Sequence, residues 1–458
     1  AKREVGDELT VHDIPLNQIH SGRIESHNGF TQFRKVHGQY RWGDLNWPRH
    51  ASHPSSHAVE SRAVDSQQVR IERLVAGGDA LGRLSDGRVV FVPGALPEEV
   101  VDIEITHTKA DFARAKLLRI VTESPHRIAP PCEHVQRGCG GCSWQHLASA
   151  AQVTAKVEIV REALRRNGKI TDIDVTSGGR VSDRGARTTL RMAVDSNGRL
   201  GFRRGSSHDV VDTPVCMVAH PLLNQLIHDI RARDADEVTL RCGAMTRERS
   251  AWVHDEDGRG TLSGLPNDVP VGHEAIVHEV VSGVKLQVSM ASFFQASLEG
   301  AEMLVNAVRE AAGEHGLSGA DGPVIDAYGG VGLLSATLVS RSTPIVLVES
   351  NTSACADARE NLVGYNARIV RGSVEQWRAE PAGLVIADPS RSGLGAAGVA
   401  RLVQTQAQRI VLVSCDAVAG ARDTRLLRDA GYSCSQATVR DLFAHTPHVE
   451  VVSTFTRN

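Results

Sequence analysis

Four short apolar runs in the last third of the chain constrain its fold more than any other feature: VIDAYGG (324–330), PIVLVES (344–350), GLVIADPS (383–390) and RIVLVSCD (409–416). Segments with helical periodicity separate them, and that alternation predicts an α/β domain with a parallel sheet and helices on both faces. Each run ends in a polar residue of a chemically useful type, namely Asp326, Glu349, Asp388 and Cys415. Ligands of open α/β sheets bind outside the carboxyl ends of the strands, so these four side chains are expected to converge on one crevice.

The first run continues as Asp326-Ala-Tyr-Gly-Gly-Val-Gly. Gly329, Gly330 and Gly332 allow a tight turn and a close approach of a ligand to the backbone at a helix start, although plain turn glycines would look the same. Glu349, at the end of the next strand, is placed to accept hydrogen bonds from ribose hydroxyls. Together these residues favour a nucleoside-containing cofactor without demanding a pyrophosphate. Cys415 is expected beside the start of a helix, whose positive end stabilises a thiolate; the alternative is a buried strand-end cysteine. Glu450, between Val449 and Val451 in HTPHVEVV, is either exposed on an edge strand or held in a site as a base with a tuned pKa.

Upstream the texture differs. Residues 1 to 66 carry His12, His20, His27, His37, His50, His53 and His57 without helical or strand periodicity, and are expected to be a disordered extension without chemistry. Residues 67–124 read as short alternating strands with Asp-Gly turns, a small β-barrel of a type that presents a strand face to oligonucleotides. Residues 125–290 are expected to form a central α+β region that includes a β-rich RNA-binding stretch. Its amphipathic helix over 148–167 carries Lys156, Arg161, Arg165 and Arg166, and its hairpins over 187–215 carry Arg187, Arg191, Arg199, Arg203 and Arg204. Residues 291–458 form the α/β domain.

Lys and Arg number 51 against 54 Asp and Glu, a net charge of -3, so a polyanion has to be held by local patches. No run approaches the roughly 18 apolar residues of a membrane span, and the opening AKREVGDELTVHD lacks the apolar core of a secretory signal. A cytoplasmic protein with no obligate protein partner is expected. Eight cysteines are too sparse for a disulfide scaffold. Cys132-x6-Cys139-x2-Cys142 is therefore a metal or iron–sulfur candidate.

The ordered motifs SFFQ (292–295), DAYGGVG (326–332), ADPSRSG (387–393), SCD (414–416) and HVE (448–450) resemble those of the S-adenosylmethionine-dependent RNA uracil-C5 methyltransferases. The N-terminal barrel resembles the OB-like TRAM domain that many of them carry. The resemblance runs from about residue 67 to the end and implies a class I, Rossmann-like methyltransferase domain. It implies Cys415 as nucleophile, Glu450 as general base and Asp388 as the carboxylate that positions the uracil and the cofactor. Gln295, Tyr328, Glu349 and Asp388 match cofactor-pocket positions, with Asp326 and the glycine turn beside them; Phe293 and Arg391 match positions near the target base. Cys132, Cys139, Cys142 and Cys216 resemble the four-ligand 4Fe-4S site of one branch. Thiolate-only ligation suits such a cluster, whereas a typical zinc site would show two short C-x-x-C pairs.

The chain departs from the family in having Asp-Pro-Ser-Arg at 388–391, Leu333 where an asparagine often meets the cofactor, and Ser373 near another polar contact. Relatives acting on RNA cytosine usually carry a second cysteine in the segment Asp388 to Arg391, and none is present. The expected activity is methyl transfer to C5 of a uridine in structured ribosomal or transfer RNA. The alternative is an RNA-binding iron–sulfur protein with an inactive methyltransferase core.

Overall fold

The structure is a computed structural model that describes residues 66–205, 207–255 and 257–458. The expected extension, residues 1 to 66, lies outside the described residues up to Asp65. The described chain divides into two compact units, one ending at Arg127 and the other running from Ile128 to Asn458 together with residues 76–78.

The first unit is a closed barrel with strand order β1-β2-β3-β5-β4. Its strands are β1 (Ser66–Leu74), β2 (Ala80–Arg83), β3 (Val89–Val92), β4 (Val100–Thr108) and β5 (Phe112–Thr122). Alternation in the sequence is alternation in space: Val69, Ile71, Val101 and Ile103 point inward and are buried, while their neighbours face water. Glu99, fully buried, accepts from Leu96 N and Ser124 N and pairs with Arg127, which ties the end of β5 back to the barrel. This is the expected OB-like barrel.

The second unit opens with a single turn, α1 (Glu133–Gln136), then α2 (Ser149–Ala163), which runs on into a wider turn over Leu164–Gly168, and β6 (Asp174–Arg180). Lys156 of α2 is fully buried, its Nζ donating to Asp441 Oδ1 at 2.5 Å and to the Phe443 carbonyl at 3.1 Å. Arg161 pairs with Glu158, and Arg165 and Arg166 with Glu162.

Next come β7 (Thr189–Val194), β8 (Leu200–Arg203), β9 (Val210–Asp212), α3 (Pro221–Ile227), β10 (Arg231–Arg233), β11 (Glu237–Cys242), β12 (Arg249–His254) and β13 (Thr261–Ser263). Five of these strands form a sheet in the order β12-β11-β7-β8-β9, while β10 pairs with β13. Leu190, Met192, Val238, Leu240, Cys242 and Ala251 form one face of the sheet and pack with Leu222, Leu223 and Leu226 of α3. The other face is polar. A hairpin of β14 (Ile276–Val281) and β15 (Val284–Ser289) follows.

From α4 (Leu298–Leu317) onward the expected α/β alternation is found: β16 (Val324–Ala327), α5 (Leu333–Leu338), β17 (Ile345–Glu349), α6 (Thr352–Asn361), β18 (Ala367–Arg371), β19 (Leu384–Ala387), α7 (Gly395–Gln404), β20 (Arg409–Ser414) and α8 (Ala417–Asp429). The chain ends with β21 (Tyr432–Ser433), β22 (Gln436–Asp441) and β23 (Glu450–Arg457). The sheet order is β18-β17-β16-β19-β20-β23-β22-β6, with β18 to β20 parallel and β23 antiparallel to β20. The strand β18 has no counterpart among the four runs that prompted the reading. Its sequence ARIVR is an edge strand with charged side chains in water, so it lacks the apolar signature. The second unit also has no break near residue 290: β6 pairs with β22 at the far edge of the large sheet, and α2 packs on both β6 and α8.

Lys156→Ala leaves the buried Asp441 carboxylate without its cation, and the other Asp441 oxygen already lacks a hydrogen-bond partner among the described residues. The expected loss is about 3–5 kcal/mol, read as a lower urea midpoint. The double change Lys156→Met with Asp441→Leu should recover most of it. An unchanged midpoint in Lys156→Ala would show that the pair does not form in solution.

Candidate active site

The chain builds β16, β17 and β18 in one direction across the sheet and returns to add β19 and β20 on the other side of β16. That reversal opens a crevice between the carboxyl ends of β16 and β19. Asp326 and Asp388 flank it. Asp326 is 1% exposed and is engaged within the fold, accepting from Ser335 Oγ at 2.6 Å and Ser335 N at 3.2 Å, so it clamps the start of α5 to the end of β16. Burial pushes its carboxyl up to about 6.

The glycine turn has distinct requirements at each position. A Cβ on Gly329 would lie 2.5 Å from Leu347 Cγ, so packing against β17 excludes one. Gly330 and Gly332 have φ of 54° and 84°, in the region that favours glycine. A Cβ on Gly330 would meet nothing within 4 Å, so the turn leaves open space beside Glu349. Glu349 is half-buried and accepts from Gly330 N at 3.1 Å and Asn351 N at 2.6 Å. Tyr328 also has a positive φ, 62°, which is uncommon for an aromatic residue and costs energy that the surroundings must supply. Its hydroxyl donates to Glu375 at 2.8 Å; burial and that carboxylate raise the phenol's pKa. Gln295 is buried, and Phe293, two residues earlier, is 64% exposed.

Cys415 follows β20 directly, and Asp416 caps α8 by accepting from Val418 N and Ala419 N at 3.0 and 2.8 Å. Glu450 opens β23, which pairs with β20 so that Val451 lies opposite Ser414. The ladder therefore sets Glu450 beside Cys415. Glu450 is buried, and its Oε1 has no hydrogen-bond partner among the described residues. Burial, with the Asp388 charge second, raises its carboxyl well above the usual range, while Arg391 opposes. Asp388 is raised to about 7, by burial first and by Asp326 second. Arg391 also acts on Cys415, and its Nη2 donates to Nε2 of His448 at 3.3 Å; burial, then Arg391, brings His448 down to about 3, so that ring is a neutral acceptor.

The expectation of a thiolate stabilised by the helix start is not met in this structure. Burial, then Glu450, then Asp388 push the Cys415 thiol up to about 12, which outweighs the helix end and Arg391.

Sequence reasoning missed the residues that hold the site's loops. Asp423 of α8, fully buried, accepts from Leu394 N at 2.6 Å and Gly395 N at 3.1 Å, and its neighbour Arg422 donates to the Ser392 carbonyl. These bonds fix the loop after Asp388. Arg241 donates to the carbonyls of Ser289 and Ser292 at 2.7 and 3.0 Å. Asp357 accepts from Ser289 N, Ser289 Oγ and Ser292 Oγ. Together they hold the segment leading into Phe293 and Gln295. From α2, Gln152 accepts from His445 N and donates to the carbonyls of Trp144 and Leu147. Apart from the local bonds from Gln152 to Trp144 and Leu147, these contacts join residues distant in sequence, and no motif marks them.

The four cysteines come from separate turns and act on one another's charge: Cys139 with Cys132 and Cys142, and Cys216 with Cys142. All four are free thiols, and burial is the main reason that Cys139, Cys142 and Cys216 are raised, Cys216 to about 11. Among the described residues, however, no group of three or more His, Cys, Asp or Glu side chains is arranged to hold a metal ion. The donor set fits a cluster in kind and the arrangement does not display one. Also among the described residues, no helix is long and apolar enough to cross a membrane.

Residues 61–118 match the TRAM domain family. An uncharacterized RNA methyltransferase of Streptomyces avermitilis is 32% identical over 429 residues, covering 85% of this chain and 98% of that one. One of Gloeobacter violaceus is 30% identical, covering 85% and 96%. A 23S rRNA (uracil(1939)-C(5))-methyltransferase of Pectobacterium atrosepticum is 28% identical over 88% of this chain and 96% of its own. The fold is shared with the Pyrococcus abyssi tRNA (uracil-54, C5)-methyltransferase solved with S-adenosyl-L-homocysteine, at a TM-score of 0.65 and 24% identity over 85% of this chain and all of the other. With its barrel and with relatives of 30% and 32% identity matched over nearly their whole length, the chain belongs to the TRAM-bearing RNA methyltransferases.

Proposed function

We propose that this chain methylates C5 of a uridine in ribosomal or transfer RNA through a covalent bond between Cys415 and C6 of the uracil. The observation that carries the reading is the meeting of Cys415, Glu450, Asp388 and Arg391 at the carboxyl ends of β19 and β20. S-adenosylmethionine, when bound, supplies an electrophilic methyl on a cationic sulfonium, whose charge favours the ionised forms of the surrounding acids. The glycine turn, Glu349, Tyr328 and Gln295 would hold it, and Asp388 faces both substrates.

Uracil C5 is a weak nucleophile. Cys415 Sγ, once deprotonated, adds to C6 and places electron density on C5, which takes the methyl group. Glu450 then removes the C5 proton, and the returning electron pair expels Sγ. A carboxylate whose pKa is raised by burial suits this step, because it holds the proton that it takes. Asp388, ionised, accepts the N3 hydrogen of uracil; neutral cytosine has a bare acceptor there and is rejected. Phe293, exposed at the mouth, is placed to meet a base drawn out of its RNA stack. Ribosomal RNA is supported by the similarity to the Pectobacterium enzyme.

The four cysteines Cys132, Cys139, Cys142 and Cys216 would hold a 4Fe-4S cluster with a structural or RNA-positioning role, since methyl transfer needs no electron. Their support is that all four are free thiols and that Cys139 acts on Cys132 and Cys142, and Cys216 on Cys142.

Tritium release from RNA labelled at uracil C5 tests the activity. Release should require S-adenosylmethionine and vanish in Cys415→Ala, and parallel assays on ribosomal and transfer RNA identify the substrate; no release from either overturns the reading. Glu450→Gln should lose most turnover yet accumulate a denaturation-resistant protein–RNA adduct, because addition and methylation precede the proton's removal. Failure to trap any adduct would count against Glu450 as the base. Since Asp388 titrates at about 7 and acts as the anion, kcat/KM should fall as pH drops through about 7. Asp388→Asn should lose roughly 10- to 100-fold in kcat/KM. Anaerobic loading with ferrous iron and sulfide should give thiolate-to-iron absorption that Cys216→Ser weakens; uptake of zinc alone would overturn the cluster.

A further inference from the structure

The polar face of the five-stranded sheet carries Arg191 and Arg203, two of the arginines in the β-rich stretch expected to bind RNA. Cross-strand partners share a face, and the registers Thr239 with Trp252 and Arg191, Glu237 with His254, and Arg241 with Ser250 and Thr189 assemble it. Side-chain contacts agree: Thr239 Oγ1 lies 2.8 Å from His254 Nε2, and Glu237 pairs with both Arg191 and Arg203. This face therefore presents an indole, an imidazole and a net positive trio on the side of the sheet opposite its apolar core.

The indole is not isolated. The Trp252 and His254 rings have centroids 4.1 Å apart, and His273 lies 6.3 Å from Trp252 on the other side. The row adjoins the segment that carries Phe293. The His273 carbonyl accepts from Ala291 N at 3.0 Å, two residues before Phe293. Ser250, one pleat or about 7 Å along β12 from Trp252, donates to Met290 Sδ. Arg241, on the same face, holds the carbonyl of Ser292, and Thr188, at the start of β7, donates to that of Ala296. Phe293 and His273 are exposed and the rings of Trp252 and His254 are half-buried, with the half-buried Arg191 and Arg203 alongside. Burial and Arg191 lower His254 to about 4, so it stays a neutral stacking ring at working pH.

We propose that this face binds the single-stranded RNA flanking the target uridine, with one base stacked on Trp252 and His254 and adjoining phosphates met by Arg191 and Arg203. The proposal rests on the RNA methyltransferase reading and adds a second contact to it. An extruded base leaves its neighbours unstacked, and an aromatic surface replaces the lost stacking irrespective of sequence. Charge complementarity favours RNA over an acidic-residue-poor protein surface, and the face is continuous with the segment that presents Phe293.

The test measures anisotropy of a dye-labelled single-stranded RNA dodecamer of mixed sequence, using the full chain. Trp252→Ala should weaken binding roughly 5- to 100-fold, and Trp252→Phe, which keeps a stacking ring, should restore most of it. Arg203→Gln should reduce the slope of log affinity against log salt by about 1. Val363→Ala, at an exposed position away from the face, serves as the unaltered control. Urea midpoints equal to the wild type exclude misfolding. Equal RNA binding by wild type and Trp252→Ala would overturn the proposal and assign the face to a protein ligand; no RNA binding by the wild type would overturn it as well. Loss of tritium release with Trp252-dependent binding intact would count against the methyl-transfer reading alone.

Discussion

β20 and β23 pair antiparallel from Arg409 with Thr456 to Ser414 with Val451, and that ladder sets Cys415 next to Glu450. The parallel strands to the left of β20 deliver the glycine turn after β16 and Glu349 after β17. The antiparallel strands to its right deliver Glu450. The site lies where a parallel half-sheet meets an antiparallel extension, and both halves require the same register.

Ladder register fixes backbones, and the loops beyond the strand ends need separate anchoring. Three sets of buried polar contacts provide it. Asp423 holds the loop after Asp388, Arg241 and Asp357 hold the segment before Phe293, and Gln152 with Lys156 holds the stretch from Asp441 to His445 that leads to His448 and Glu450. Each uses a fully or nearly fully buried side chain, where an unmade hydrogen bond costs most and so defines position best. Two of the three anchors come from the middle segment of the chain. That explains why the second unit is continuous: the region before residue 290 contributes an edge strand to the large sheet and the supports of its active-site loops.

The pocket concentrates acids. Asp326, Asp388 and Glu450 are all raised, chiefly by burial, and the thiol of Cys415 is raised with them. Arg391 is the cation that opposes this for both Glu450 and Cys415. Such a pocket favours neutral acids, and a positive charge entering it would favour their ionised forms.

The placement of Asp326, Glu349, Asp388 and Cys415 was legible because each lies at or next to the end of an apolar run, and parallel strands bring those ends to one side. The barrel was legible from alternation and Asp-Gly turns. The burial of Lys156 against Asp441 was not legible, because a lysine at helical spacing looks the same in sequence whether water or a buried carboxylate receives it. The strand β18 was missed because an exposed edge does not need an apolar sequence. By itself, then, the sequence determined the element types and the residues at their ends, since those depend on local periodicity. Only the tertiary structure decided which of those ends are ionised, what anchors their loops, and that Trp252, His254, Arg191 and Arg203 share a face, because burial, charge and cross-strand register depend on residues far away along the chain.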